Sequence, residues 1–416
     1  MSTPVLRLGI LGASQTAESV HLPALHALFT RFSLIILHDA FADSLDRCQK
    51  RFHIKEITTS TSDVINHPDV DLVLNLLPFE YHEQHTIAAL EAGKHVMVEV
   101  PLTLSIDGLR RIRAATKKGT ANSRFEGGPK VFVGCARRYA PCFTENFKKE
   151  LDSLDRIYYA RCRNIAGPLS PSSNPSSSDS INGNGNGNGI SNAFNLNLNL
   201  NGNTNGSTNG STNGSLAVPN TIINTTKFHT LLTDIFGNTD DLTSDRIAFA
   251  RFLGTTGSHD LSLVRESFGE DHPFTMIYEA GIDAVPRCDS HLTIYGASKT
   301  ISLEYDFPCP SGSGDGAMRV IIEEAETSES KANGSTANGN GTNGASSVAK
   351  SQVRRTVHTS TVAEAYERQF EDMYFFFTGN VTAKTDTADA LNDLKLVRMI
   401  FEHYDRQCGT IRTPLG

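Results

Sequence analysis

The sequence holds no run of apolar residues approaching the ~18 that a membrane span needs. It also lacks an excess of positive charge: 38 Lys+Arg stand against 46 Asp+Glu, a formal net charge of −8. The first absence argues against a membrane protein, and the second against a nucleic-acid or anionic-membrane surface. The seven cysteines (Cys48, Cys135, Cys142, Cys162, Cys288, Cys309 and Cys408) form no CxxC pair. That spacing suggests no zinc site and leaves reduced, mostly buried thiols. The segment MSTPVLRLGILGA has no charged region followed by a long apolar core, so no signal peptide is expected and the protein reads as soluble and cytoplasmic. At 416 residues the chain exceeds what one compact core usually holds, and two domains are expected.

What is present starts with a buried strand over Leu6 to Leu11 that runs into Gly12-Ala13-Ser14-Gln15-Thr16-Ala17. A helix is expected over Glu18 to Phe32, a strand over Leu34 to His38 ending at Asp39, a helix over Asp43 to Phe52, and a short strand at Ile57 to Thr59. The stretch VDLVLNLLPFEYHEQHTIAALEAGKHVMVEVPLTLS follows. Leu72, Val73, Leu74, Leu76 and Leu77 show no polar alternation, which suits a strand buried on both faces of a parallel sheet. A helix closed by Gly93 and a second strand, HVMVEV, complete a βαβ unit. Ile106 to Lys118 and Val131 to Cys135 add another helix and strand. Regular alternation over residues 1–136 predicts a doubly wound parallel sheet.

After Arg137-Arg138-Tyr139 the pattern changes. Residues from about 167 to 226 and from about 327 to 350 are dominated by Asn, Gly, Ser and Thr. Such segments bury too little apolar surface to offset the entropy of ordering, so both are expected to be disordered inserts. Helices are expected over 245–252 and 260–268, then consecutive strands at Phe274 to Ala280, Ser290 to Tyr295, Thr300 to Phe307 and Arg319 to Glu323. Helices over Glu364 to Thr378 and Thr387 to Tyr404 end the chain. Residues 137–416 therefore read as an α+β domain with a mostly antiparallel sheet.

Gly12-x-Ser14-x-x-Ala17 occupies the place of GxGxxG, directly after strand one and opening a helix. The first glycine permits the tight turn, the second position lets a pyrophosphate approach the backbone, and the third allows close helix–strand packing. Ser14 adds a Cβ there and also a hydroxyl donor. A carboxylate at the end of strand two, here Asp39, suits the adenosine ribose hydroxyls. No Arg follows it in Ala40-Phe41-Ala42, so NAD is favoured over NADP. Leu77, Pro78 and His82 lie in the loop at the carboxyl edge of the sheet and Glu99 ends the next strand. All four are candidates to line the nucleotide.

The chain resembles the Gfo/Idh/MocA oxidoreductases. LGILGASQTA with HLPAL resembles the family opening, and LEAGKHVMVEVP its "GKHVLVEKP" segment. VGCARRYAP is similar to "GFNRRFxP", and GTTGSHDLSLVRESFG to the "GGxxxDxGxHxxDxxxxxxG" motif. The resemblance implies a Rossmann domain followed by an α+β domain whose open sheet often builds an oligomer interface. It implies hydride transfer to or from a secondary alcohol or ketone of a sugar, cyclitol or nucleoside-like small molecule. Three polar positions depart from the family: Val100 stands for its Lys, and Thr255 and Ser262 for its Asp residues. His259 is then the expected proton carrier, with an ordinary pKa near 6.5; Tyr139 is a second catalytic candidate, and Arg138 a cofactor contact. Two other readings of the same pattern are a redox-neutral enzyme that keeps NAD bound, and a non-catalytic binding protein on this fold.

Overall fold

The computed structural model describes residues 4–166, 225–236, 244–269, 274–282, 288–305, 316–326, 352–379 and 381–411. Its first sheet is built from short apolar runs without alternation: β1 (Leu6–Leu11), β2 (Phe32–His38), β3 (Glu56–Thr58), β4 (Leu72–Asn75), β5 (His95–Glu99) and β6 (Val131–Gly134). All six run parallel, in the order β3-β2-β1-β4-β5-β6. The links are a π turn (Ala17–His21) leading into α1 (Leu22–Ala27), then α2 (Ala42–Phe52), α3 (Thr61–Ile65), α4 (His82–Glu91) and α5 (Ile106–Gly119). The strand order reverses between β1 and β4, the switch point at which such sheets bind ligands.

The first helix is shorter than the periodicity suggests. Phe32 opens β2 rather than ending the helix, because its buried ring packs edge-on against Tyr374 at 5.8 Å. That contact lies more than three hundred residues away in sequence, so no local pattern announces it.

The second sheet follows α6 (Lys148–Asp152) and comprises β7 (Ile157–Ala166), β8 (Thr275–Ile282), β9 (Cys288–Gly296), β10 (Lys299–Tyr305), β11 (Ala317–Glu326) and β12 (Gln352–Thr361). Its order is β12-β11-β10-β9-β7-β8, antiparallel except for the parallel pair β7–β8. Before β8 the chain forms α7 (Thr225–Phe236), α8 (Ser244–Phe252) and α9 (Ser258–Phe268); after β12 it forms α10 (Val362–Thr378) and α11 (Thr387–Ile411). A π turn (Leu253–Gly257) joins α8 to α9 and absorbs the GTTG segment. The sequence reading missed both α7 and β12. The two expected inserts lie outside the described residues, save that residues 225 and 226 open α7.

A division at residue 136 separates the two sheets but not the helices that cover them. Thr361 and Glu364 form a reciprocal cap at the start of α10, which then packs Tyr366, Phe370, Met373 and Tyr374 into a core shared with both sheets. Val133 of β6 donates its amide to Thr385 O at 2.8 Å. The segment before α11 thus returns to the first sheet. Among the described residues no helix is long and apolar enough to cross a membrane, and no cluster of side chains suits a metal ion.

Candidate active site

The glycine-rich turn is closed by the residues at its rim. Gly12 has φ of +102°, and a Cβ there would stand 2.9 Å from Leu76 O. Only glycine fits. Asp39 holds the turn from the side: Ala13 N donates to its Oδ2 at 2.7 Å and Phe41 N to its Oδ1 at 2.9 Å. Each carboxylate oxygen keeps acceptor capacity for a further donor such as a ribose hydroxyl. Ser14 Oγ accepts from Ala17 N at 3.2 Å, so its own proton is left to donate outward. Ser14 and Gln15 are exposed, Thr16 is half-buried and Ala17 is fully buried against the strand. This is a cradle whose backbone and charge suit a dinucleotide.

The loop after β4 is braced from within. His82 is only 3 % exposed, and its ring nitrogens face Pro101 O at 2.7 Å and Leu77 O at 2.8 Å. It latches two loops of the sheet edge together. His82, a candidate to line the nucleotide, has both ring nitrogens engaged in the interior. Leu77 is half-buried and Pro78 exposed on the same edge.

Glu99 lies at the end of β5 with Oε1 accepting from His21 Nε2 at 2.8 Å. Burial pushes its carboxyl up, but the His21 hydrogen bond and neighbouring groups outweigh this and hold it below the usual range. Val100 beside it is 6 % exposed and packs among Leu104, Val133, Ser258 and Leu261 around a cavity of about 20 Å³.

His259 opens α9, half-buried, and its Nδ1 has no hydrogen-bond partner among the described residues. Burial and the nearby Arg137 charge push its pKa down to about 3, against the opposing pull of Glu99. The expected value near 6.5 is therefore corrected. The ring is neutral at physiological pH, and the same burial makes it a weak base.

The residue after it anchors the site, and the sequence reading passed it over. Asp260 is wholly buried and accepts four hydrogen bonds: Arg137 Nη1 at 2.6 Å, Tyr305 OH at 3.0 Å, Asn164 Nδ2 at 2.7 Å and Tyr278 OH at 3.1 Å. Arg137 stacks over the Tyr305 ring at 4.2 Å. These donors come from the segment after β6 and from β7, β8 and β10. The Arg-Arg pair and the His-Asp pair were visible signals, but only the fold shows which member binds which.

Two candidates fall away from the cleft. Tyr139 is buried with its hydroxyl 2.6 Å from Thr385 Oγ1 and Lys384 Nζ 4.0 Å above its ring. Burial pushes its phenol far above the ordinary value, so it is a packing residue. Arg138 donates to Glu266, to Ser262 Oγ at 3.0 Å and to Asp389 Oδ2 at 2.5 Å. These partners hold its fork in the interior. Ser262 is thereby a structural acceptor, and Thr255 Oγ1 bonds back to Arg251 O at 2.9 Å within its own turn.

Residues 6–122 match the family model described as an oxidoreductase family with an NAD-binding Rossmann fold. Over that segment the chain is similar to the Gfo/Idh/MocA oxidoreductases. It is 31 % identical over 151 residues to inositol 2-dehydrogenase of Klebsiella pneumoniae (strain 342), covering 36 % of this chain and 42 % of that protein. Identity is 29 % over 115 residues to scyllo-inositol 2-dehydrogenase (NADP(+)) IolW of Bacillus subtilis (strain 168), 27 % of this chain and 31 % of that one. The matches thus span less than half of these relatives' length. The fold as a whole is similar to the 3-ketoreductase KijD10 from Actinomadura kijaniata, solved with NADP and TDP-benzene. That likeness has a TM-score of 0.60 and 14 % identity over 95 % of this chain and 96 % of that one. It shows a shared fold of two sheets.

Proposed function

We propose that the protein is an NAD-dependent oxidoreductase acting on a secondary alcohol, or the matching ketone, of a sugar or cyclitol. One observation carries the reading: His259, neutral and with Nδ1 unpartnered, lies near ionised Glu99 at the carboxyl edge of the same sheet that forms the Gly12–Asp39 cradle. The bound dinucleotide supplies a nicotinamide carbon that takes or returns hydride. Asp39 selects the unphosphorylated ribose, because a 2′-phosphate would meet a carboxylate and no neighbouring arginine. His259 accepts the hydroxyl proton of the alcohol on its ring nitrogen. Glu99 offsets the positive charge that develops there, as the third member of a catalytic triad does. Asp260 and Arg137 hold the α9 turn that carries His259.

The same reading makes the protein a homo-oligomer through the outer face of the second sheet. Strand register places Ile277, Tyr295, Val353 and Val357 on that face, each between 41 and 65 % exposed. Mixing the purified protein with NAD+ or NADH and a panel of polyols, cyclitols and ketosugars tests the activity. Saturable binding with substrate-dependent change in nicotinamide absorbance supports it, and binding without turnover on any member of the panel speaks for the non-catalytic reading.

A further inference from the structure

Glu99 is a carboxylate withdrawn from water with one fixed donor. Its Oε1 is bound by His21, while Oε2 accepts nothing among the described residues. A Cβ at Gly134 would stand 2.8 Å from that Oε1, so β6 is kept bare beside it. His21 also faces the dinucleotide turn, with Nδ1 3.3 Å from Thr16 O, and packs edge-on against Tyr366 at 4.7 Å. Among the described residues the His21 ring is the one hydrogen-bond donor to this buried carboxylate, and position 100, being valine, supplies none.

We propose that His21 is a positioning residue of the redox site: it holds Glu99 ionised, ties one carboxylate oxygen back to the dinucleotide turn and leaves the other for His259 and the nicotinamide edge. This rests on the reading of the cleft as a dinucleotide-dependent redox site. A fixed negative charge at that end favours the positively charged oxidised nicotinamide over the neutral reduced ring. As His259 takes a proton from the substrate hydroxyl, the Glu99 carboxylate stays ionised and stabilises the new imidazolium. The other ionisable groups around the pair are Tyr366 on α10, His82 on α4, His259 on α9, and Cys135 and Arg137 after β6. Burial pushes the Cys135 thiol up to about 12 and the Tyr366 phenol well above its usual value, so both are neutral. Arg137 is matched by Asp260. Among the described residues only His21 hydrogen-bonds Glu99.

Calorimetric titration of the full chain with NAD+ and with NADH, at neutral and at alkaline pH, tests this. Glu99→Gln is expected to lower the ratio of NAD+ to NADH affinity by about tenfold. His21→Ala lowers it equally at neutral pH, since the unsupported carboxyl then takes up a proton, and regains it in alkali. His21→Gln keeps a donor to Oε1 and holds the ratio within about twofold of wild type. A wild-type ratio in His21→Ala at neutral pH, or an equal loss of both affinities, overturns the proposal. Should His21→Ala not fold, Glu99→Gln decides alone, and an unchanged ratio there overturns it. Failure of the folded wild-type protein to bind either nucleotide overturns the dinucleotide reading itself, which is a distinct result.

Discussion

Arg137 and Asp260 form an ion pair of 2.6 Å that is almost entirely withdrawn from water, with side chains 2 % and 0 % exposed. The arginine belongs to the first turn after the parallel sheet and the aspartate directly follows His259. The pair therefore fixes the proposed proton carrier relative to the parallel-sheet half of the chain.

Breaking one side of this pair leaves a buried charge unmatched. Asp260→Leu is expected to cost about 3–5 kcal/mol of stability, and Arg137→Met with Asp260→Leu less than the single change. Urea unfolding of both single variants and the double variant measures the coupling. Purely additive losses would show that the pair is not a unit.

His259→Ala should lower turnover on the order of 10²–10⁴-fold with NAD affinity nearly unchanged. Because His259 is held at about 3, its base form is populated throughout the neutral range. Alcohol oxidation should accordingly show no inflection from this residue between neutral pH and about pH 5. A wild-type rate in His259→Ala would move the proton step to another group.

Stability should fall with acid before the carboxylates titrate. His95, stacked between Phe125 and Phe377, is pushed to about 3 by burial and by the Lys130 charge, as His259 is by burial and Arg137. Their unfolded counterparts titrate near 6.5, so below that pH the unfolded chain binds more protons than the native one. The expected loss is about 1.4 kcal/mol per pH unit for each ring, from roughly pH 6.5 down toward 3. Urea midpoints across that window should shift, and His95→Phe should reduce the slope by about one proton.

Val100→Lys should not improve the enzyme. The site is 6 % exposed and lined by Leu104, Val133, Leu261 and Val397. The nearby carboxylates Asp393 and Glu99 are already bound to Arg265 and His21, so an ammonium in this apolar lining should cost on the order of 3 kcal/mol. Thermal unfolding of the variant checks this, and a gain in turnover on polyols would contradict it.

Asp39→Ala should narrow a preference for NAD(H) over NADP(H) that is expected to be at least about tenfold in the wild type. It should also weaken NAD binding itself, since the carboxylate holds Ala13 N and Phe41 N. Equal wild-type affinities for the two nucleotides would refute the assignment.

The sequence by itself determined the parallel sheet, the turn at Gly12 and the acid at Asp39. Each rests on local physics: unbroken apolar runs, a backbone angle only glycine adopts, and a fixed spacing after a strand. It also singled out His259 and the missing lysine at Val100. It did not determine the partners of those residues. Tyr139 and Arg138 looked like cleft residues because they follow the sheet, yet Thr385, Glu266 and Asp389 draw them into the interior. His82 became a latch, and His21, quoted only as part of HLPAL, became the donor to Glu99. Helix α7 and strand β12 escaped because their stability comes from contacts made across the fold. Which polar groups meet, and which charge is left neutral by burial, depends on pairs hundreds of residues apart. Those choices belong to the tertiary structure, because desolvation and hydrogen bonding act on distance in space and leave no periodicity in the chain.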